Sequence, residues 1–320
     1  MKSKTKTLLI VATSFIVLGL IIFSIVMCTY NWDFTKLSTT KFQTNKHVIS
    51  DEFTSIEINS NTADITILPS DDGQNKVICF EDEKEPNAVS VSNGKLTINQ
   101  TNQKKWYDYI GINFNNTTIT IYLNKTQYSL LKINDDTGDV NISKDFIFNS
   151  IDVQVSTGDV KCFASVEESI KIYTSTGDIL VENVSAKSLE LSVSTGEITA
   201  STITCQGDVN IKSNTGKTKL NGVNCNSFIA TADTGDITLT DVIARNNLQI
   251  ELDTGDVYLE RSDASEIQIE TDTGDVRGSL LTSKVFIANT DTGRVSVPQT
   301  TSGGKCLIET DTGDIIITIV

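Results

Sequence analysis

The sequence predicts an all-β chain: a single-stranded, parallel β-solenoid with rungs of 19–20 residues, preceded by one transmembrane helix. Three observations predict it. The dipeptide Thr-Gly recurs ten times at near-constant spacing, apolar and polar residues alternate around each copy, and a long uncharged apolar run lies near the N-terminus.

The apolar run comes first. Leu8 to Cys28 is a 21-residue stretch without a charged side chain. At about 1.5 Å per residue, a helix of that length crosses the roughly 30 Å hydrocarbon core of a bilayer. Lys2, Lys4 and Lys6 precede it, so the positive-inside rule makes residues 1–7 a short cytoplasmic tail and places the remainder outside. Tyr30 and Trp32 stand where interfacial aromatic anchors sit. A cleaved signal peptide would carry a shorter core ending in small residues, whereas this run ends Ser24-Ile25-Val26-Met27-Cys28. Met27 ahead of Cys28 also argues against lipoprotein processing. Residues 29–47 are polar and read as an extracellular stalk.

The repeat occupies residues 129–320. Its glycines are Gly138, Gly158, Gly177, Gly196, Gly216, Gly235, Gly255, Gly274, Gly293 and Gly313, each preceded by threonine. Seven and five residues before each glycine stand apolar residues, such as Ile151 and Val153 or Leu248 and Ile250. Two residues after it comes Val or Ile in nine of ten rungs, with Thr218 the exception. The positions between are mostly polar (Asp152, Gln154, Glu190, Gln249, Glu251). Alternation of period two describes strands with one buried face. Such a strand cannot bury that face alone, and stacking identical rungs supplies both an interior and hydrogen bonds above and below. Right-handed coiling is expected, since parallel crossovers are overwhelmingly right-handed. Where the first inward site holds a ring (Phe228, Phe286), the second shrinks to alanine (Ala230, Ala288), as an interior of fixed volume requires.

Residues 48–128 are less regular. Ile56, Ile58, Ile65 and Ile67 fit the rung template, with Ala63 where glycine would stand. Strand-like runs follow at Val77 to Phe80, Val89 to Val91, Lys95 to Ile98 and Thr118 to Leu123. An aromatic cluster holds Trp106, Tyr107, Tyr109 and Phe114. This region reads as the atypical capping end that solenoids need, with a ligand-facing aromatic patch as the alternative.

The corner itself reads Asp/Ser/Asn-Thr-Gly-Asp. Glycine in the third place supplies the positive φ of a type II turn, and Asp, Asn or Ser in the first can close it. The functional alternative is a cation site. Stacking would align Asp233, Asp253, Asp272, Asp291 and Asp311 in one column and Asp236, Asp256 and Asp275 in a second, with carboxylates about 4.8 Å apart that Ca²⁺ could bridge. Against it, the glycine-rich calcium nonapeptide is absent, and Lys217 and Arg294 interrupt the second column, the former between Glu197 and Asp236, the latter between Asp275 and Asp314.

Six cysteines are present. Cys205 and Cys225 each lie nine residues after their glycine, at a small inward corner held elsewhere by Ala186, Ala244 and Ala264. Buried free thiols are expected there, while stacked neighbours also satisfy the separation a Cys205–Cys225 bridge needs. No cysteine or histidine spacing suggests zinc.

Net charge is −15, from 26 basic and 41 acidic residues, so nucleic acid is not an expected partner. The one histidine, His47, falls outside the repeat, which leaves no Ser/His or Cys/His machine within the solenoid. Rungs of near-constant length leave no room for inserted catalytic loops. No enzyme activity and no cofactor are expected.

The Thr-Gly-Asp-Val/Ile ladder, the Ile-x-Ile strands and the Asn61-Thr62-Ala63-Asp64-Ile65-Thr66-Ile67 element resemble the bacterial "putative adhesin" domain family of unknown function over residues 48–320. That family includes membrane-anchored accessory proteins of the LiaG and YvlB type, associated in Gram-positive bacteria with envelope-stress operons. The resemblance implies a solenoid held at the cell membrane and transfers no catalytic or ligand residue. Two functions follow: an adhesin-like surface module contacting cell-wall polymer or an envelope protein, or an envelope-stress accessory acting on a membrane partner. A carbohydrate-active enzyme ranks third. Finally, Asp314 to Val320 reads as an uncapped apolar strand, so self-association through the C-terminal rung, or a partner that covers this end, is expected.

Overall fold

The computed structural model describes residues 3–37, 40–109 and 115–320. Helix α1 (Ser3–Thr29) contains an apolar span, Thr5–Thr29, long enough to cross a bilayer, and its apolar window packs against no other part of the described chain. The helix stops at Asn31, whose φ of +52° lets the Asn31 and Trp32 amides turn back onto the Cys28 and Met27 carbonyls at 3.2 and 2.9 Å. Such a cap satisfies the last carbonyls of a helix, and asparagine tolerates the left-handed conformation it needs.

Seven strands build the stalk end: β1 (Phe42–Ile49), β2 (Ser55–Thr62), β3 (Asp64–Pro69), β4 (Asn75–Asp82), β5 (Asn87–Ser92), β6 (Lys95–Gln100) and β7 (Thr118–Leu123). β1 starts inside the stretch read from sequence as stalk, and His47 lies on it opposite Val77. Alternation in Phe42–Ile49 continues the rung pattern too weakly to be seen without its partner. Phe114 lies outside the described residues.

From Gln127 onward each rung is two strands joined at its Thr-Gly corner, for example Ser188–Thr195 and Ile198–Cys205 around Gly196. The strands before the glycines form a 13-stranded sheet with β2, β6 and β5, and those after form a 14-stranded sheet with β3, β7, β4 and β1. Rung-to-rung pairing is parallel and in register, so Ile151 stacks between Leu131 and Ile170. Only β5 is antiparallel in the first sheet, which leaves 13 − 1 = 12 parallel levels. At about 4.8 Å per level the stack is roughly 50 Å long.

The interior is one continuous core running from Phe53 to Ile317. The inward columns expected from sequence are buried through most of the stack, including the Phe228–Ala230 pair at 0 % and 1 % exposure, but in the terminal Gly293 rung Phe286 and Ala288 are only half-buried and Val295 is exposed. Near the stalk end the core is filled by rings: Phe53 and Tyr128 stack at 5.8 Å, and Phe148 sits 5.9 Å from Tyr128.

The levels do not follow chain order at either end. β2–β3 sits between β6–β7 and the Gly138 rung, so the chain builds β6–β7 outside it and then crosses back over. At the far end the Gly313 rung (Gly304–Thr312, Ile315–Ile319) lies between the Gly274 rung and the Gly293 rung (Lys284–Thr292, Val295–Ser296). This corrects in part the reading of the C-terminal rung as an open edge: the rung is internal to the stack, and only its last residues, from Ile317, lack a strand on the outer side. Ile315–Ile319 pairs along its length with Val276–Leu280, Val295–Ser296 covers only Ile315 and Ile316 on the other side, and the Val320 amide donates to the Leu280 carbonyl at 3.0 Å. The edge strand is Lys284–Thr292, with Ile287 49 % exposed. Residues 281–283 make the two-level jump, and at its end the buried Lys284 ammonium pairs with Asp263 at 2.6 Å.

Candidate functional site

The Thr-Gly columns came first as site candidates, and their geometry is structural. Glycine φ is +131° to +158° at nine of the ten corners, a region open essentially to glycine alone and not the roughly +80° of a type II turn. A Cβ at any of the ten would meet the carbonyl of the residue one level away, its carbon at 2.5–2.7 Å. That residue is Ala63 for Gly138 and a glycine for all the others. The corner is therefore glycine because stacked corners touch backbone to backbone. Each level is tied to the next by a glycine amide donating to a threonine carbonyl, as from Gly158 to Thr176 at 2.8 Å.

The aspartate after the glycine completes that link. The Asp139 carboxylate accepts the Asp159 amide at 2.9 Å, Asp159 accepts that of Asp178 at 2.8 Å, and Asp178 that of Glu197 at 2.7 Å. The run resumes from Asp236 to Asp256, Asp275 and Asp314 at 3.3, 2.8 and 2.6 Å. At the corner the strand ladder is interrupted and one amide per rung points along the stack, so a carboxylate one level away satisfies it. Because the last two rungs are exchanged, Arg294 does not separate Asp275 from Asp314. It ends the column, its amide donating to Asp314 at 3.0 Å. Lys217 does interrupt it and pairs with Asp236 at 3.2 Å. The outer column, Asp233, Asp253, Asp272, Asp311 and Asp291 in spatial order, is exposed. Among the described residues no group of three or more His, Cys, Asp or Glu side chains is arranged to hold a metal ion.

A second corner escaped the sequence reading. Six residues after their glycines, Asn183, Thr202, Gly222, Asp241 and Arg261 all adopt left-handed backbone, with φ from +46° to +66°. Asn, Gly and Asp are the residues that tolerate it, and that was the available signal. Arg261 also clamps Asp241 one level away through two hydrogen bonds of 2.8 and 2.6 Å.

All six cysteines are free. Burial pushes the Cys79, Cys162, Cys225 and Cys306 thiols up to about 12, so they remain protonated and inert. Cys205 donates weakly to the Lys187 carbonyl at 3.4 Å.

Two clefts open at the stalk end, around the first corner. A cleft of about 770 Å³ is lined by Phe42, Asn61, Asp64, Lys104, Tyr109 and Asp136. Lys104 is fixed in it by Asp82 at 2.7 Å and Glu85 at 2.8 Å. Beyond Asn61 lies a second cleft of about 520 Å³, walled by Asn59, Asn99, Asn134, Gln100 and Tyr173. Its amides chain across three levels, Asn134 donating to Asn59 and Asn59 to Asn99, both at 2.8 Å. Asp135 borders it with both carboxylate oxygens buried and without a well-formed hydrogen bond. Burial pushes that carboxyl up to about 6, an effect that the Ser60 hydroxyl offsets only in part. Planar amides, carboxylates and a tyrosine ring can receive hydroxyl-bearing ligands. The aromatic cluster is placed at this end too: Trp106, Tyr107 and Tyr109 lie on one 3-10 turn and are exposed.

Residues 53–214 and 206–320 match the family model described as Toastrack DUF4097. Among solved structures, the chain is similar to a "putative adhesin" of Parabacteroides merdae ATCC 43184 at 14 % identity, over 88 % of this chain and 97 % of that one, with a TM-score of 0.48. It is similar to a "putative adhesin" of Parabacteroides distasonis ATCC 8503 at 16 % identity, over 85 % and 98 % of the chains, with a TM-score of 0.47. A "putative lipid binding protein" of that organism aligns at 15 % identity, over 88 % and 98 %, with a TM-score of 0.48. No curated protein matches the sequence.

Proposed function

The chain belongs to the Toastrack DUF4097 family, and from that premise we propose that it is a membrane-anchored, non-enzymatic interaction module of the cell envelope. In this reading α1 spans the membrane, the solenoid stands outside, and its stalk-end clefts hold a hydroxyl-rich envelope polymer. The observation that carries it is the amide wall of Asn59, Asn99 and Asn134 beside Tyr173, an array of aligned donors and acceptors with an aromatic face. Sugars are recognised by such planar polar groups together with ring stacking. The regular rungs add flat faces, crossed by level-to-level ion pairs such as Lys171–Glu190 at 3.2 Å.

The test is binding of purified cell-wall polymer to the solenoid with and without α1. The described core lies within residues 53–317, apart from Met27, so removing the helix leaves it intact. A surface module keeps its affinity when soluble and loses it on Asn134→Ala or Tyr173→Ala. An accessory acting on a membrane partner loses its effect with the helix instead. Binding that survives both substitutions excludes this cleft as the site.

A further inference from the structure

We propose that the turn Trp106–Tyr109 docks the stalk end of the solenoid onto the outer surface of the bilayer that its own helix spans. The inference rests on the membrane-anchor reading of α1 and adds a second contact to it.

Three placements lead there. Trp106 is 76 % exposed, the most exposed aromatic side chain described in the solenoid, with Tyr109 at 60 % and Tyr107 at 48 %. Soluble surfaces seldom present three large rings on four residues without a partner. Rings with an apolar body and a polar tip are the side chains that settle at the headgroup level.

The second placement is proximity to the tether. Thr40 and Lys41, where the chain enters the solenoid, share a cavity of about 330 Å³ with Lys84, Lys104 and Asp108 of the turn's neighbourhood. The Glu83 amide donates to the Lys41 carbonyl at 3.0 Å and locks that entry in place. Ten residues, 30–39, separate the end of α1 from Thr40. Fully extended they reach about 35 Å. The turn is therefore held at the end of the rod that cannot leave the membrane.

The third is how the turn is built. Asp108 accepts the Lys105 amide at 2.9 Å and pairs with Lys84, so the acid is used internally and the rings are left outside. Lys105 lies 5.9 Å from the centre of the Tyr107 ring, and Lys104 lies 5.6 Å from that of Tyr109. Lys104 is neutralised by Asp82 and Glu85, so Lys105 is the cation that accompanies the rings at a phospholipid headgroup. The outer aspartate column from Asp233 to Asp291 is concentrated in the distal rungs, where an anionic membrane repels it, so the charge pattern favours the same upright pose.

The chain has two tryptophans, which makes the test direct. The full chain is reconstituted in vesicles of phosphatidylcholine and phosphatidylglycerol carrying spin labels at the headgroup or high on the acyl chain. Trp32→Phe leaves Trp106 as the reporter, Trp106→Phe leaves Trp32, and Tyr258→Trp on the tryptophan-free background reports from the distal rungs. The expected result is quenching and a blue shift for Trp106 and for Trp32, and neither for the Tyr258→Trp reporter. Quenching of Trp32 without Trp106 overturns docking and leaves the anchor standing. Quenching of neither overturns the anchor reading, and docking with it. Equal quenching of the distal reporter means that the rod lies flat, which also overturns the proposal. A Trp106 response to added wall polymer but not to lipid makes the turn a sugar platform and refutes the lipid assignment.

Discussion

Replacing Gly235 by alanine tests the stacked-corner argument most directly. At φ +131° a residue with a Cβ costs about 1–3 kcal/mol. The added methyl would stand 2.7 Å from the Gly216 carbonyl carbon and 3.3 Å from its nitrogen, closer still to its oxygen. Restoring an ordinary 3.4 Å separation from that carbon alone parts the two levels by 3.4 − 2.7, or about 0.7 Å, and the nearer oxygen demands more. That strains the 2.9 Å bond from the Gly216 amide to the Thr234 carbonyl, worth about 1 kcal/mol. The sum is about 2–4 kcal/mol, or a fall in Tm of roughly 5–10 °C for a domain of this size. Gly222→Ala is the matched control: its φ is +66°, but its nearest neighbour would be 3.8 Å away, so only the backbone cost of about 1 kcal/mol applies. Thermal unfolding followed by circular dichroism on the solenoid without α1 reads the difference. Equal shifts for the two variants would show that contact between levels does not set the glycine column.

Other consequences are open to measurement. Asp159→Ala removes the acceptor for the Asp178 amide and is expected to lower stability by about 1 kcal/mol, whereas Asp159→Asn keeps an acceptor and should cost less than half of that. Adding a chelator to the folded protein should leave its Tm unchanged, because the inner aspartates are already occupied by amides. Thr202, a β-branched residue at φ +55°, should gain up to about 1 kcal/mol on replacement by asparagine, and a denaturant midpoint that falls would contradict the strain argument. The Asp135 carboxyl is raised from 3.8 to about 6 by burial, so the native state holds a proton that the unfolded chain has released. Stability therefore drops by about 2–3 kcal/mol as pH rises from about 4 to about 6 and is flat above, and Asp135→Asn should abolish that dependence in Tm recorded from pH 4 to 8. Lys284→Ala strands the buried Asp263 and should cost about 3–5 kcal/mol, while Lys284→Met with Asp263→Leu should recover most of it in urea titrations.

Much of the stalk end was hidden for a common reason. β1 alternates only weakly, since it pairs antiparallel with β4 at the margin of the sheet and buries little, so its first residues read as stalk. The clefts there combine residues from the first corner, from 99–109 and from the Gly158 and Gly177 rungs, and no local spacing links them. The exposed aromatic turn was visible as Trp106, Tyr107 and Tyr109, but nothing local says that Thr40 and Lys41 lie beside it.

The repeat was legible because every rung meets the same surroundings. Inward sites, the glycine column and the small corner of Cys205 and Cys225 return with each turn, and identical environments select similar side chains. That same sameness conceals the order of the levels. Exchanging the Gly293 and Gly313 rungs leaves each inward side chain facing inward and each glycine over a glycine, so no pattern along the chain distinguishes the two arrangements. Nor does a column of aspartates declare whether it awaits a cation or accepts an amide, since both fit one carboxylate per turn. Tertiary structure decided these points, because which strand lies beside which, and where an unpaired amide points, are properties of neighbours distant in the chain.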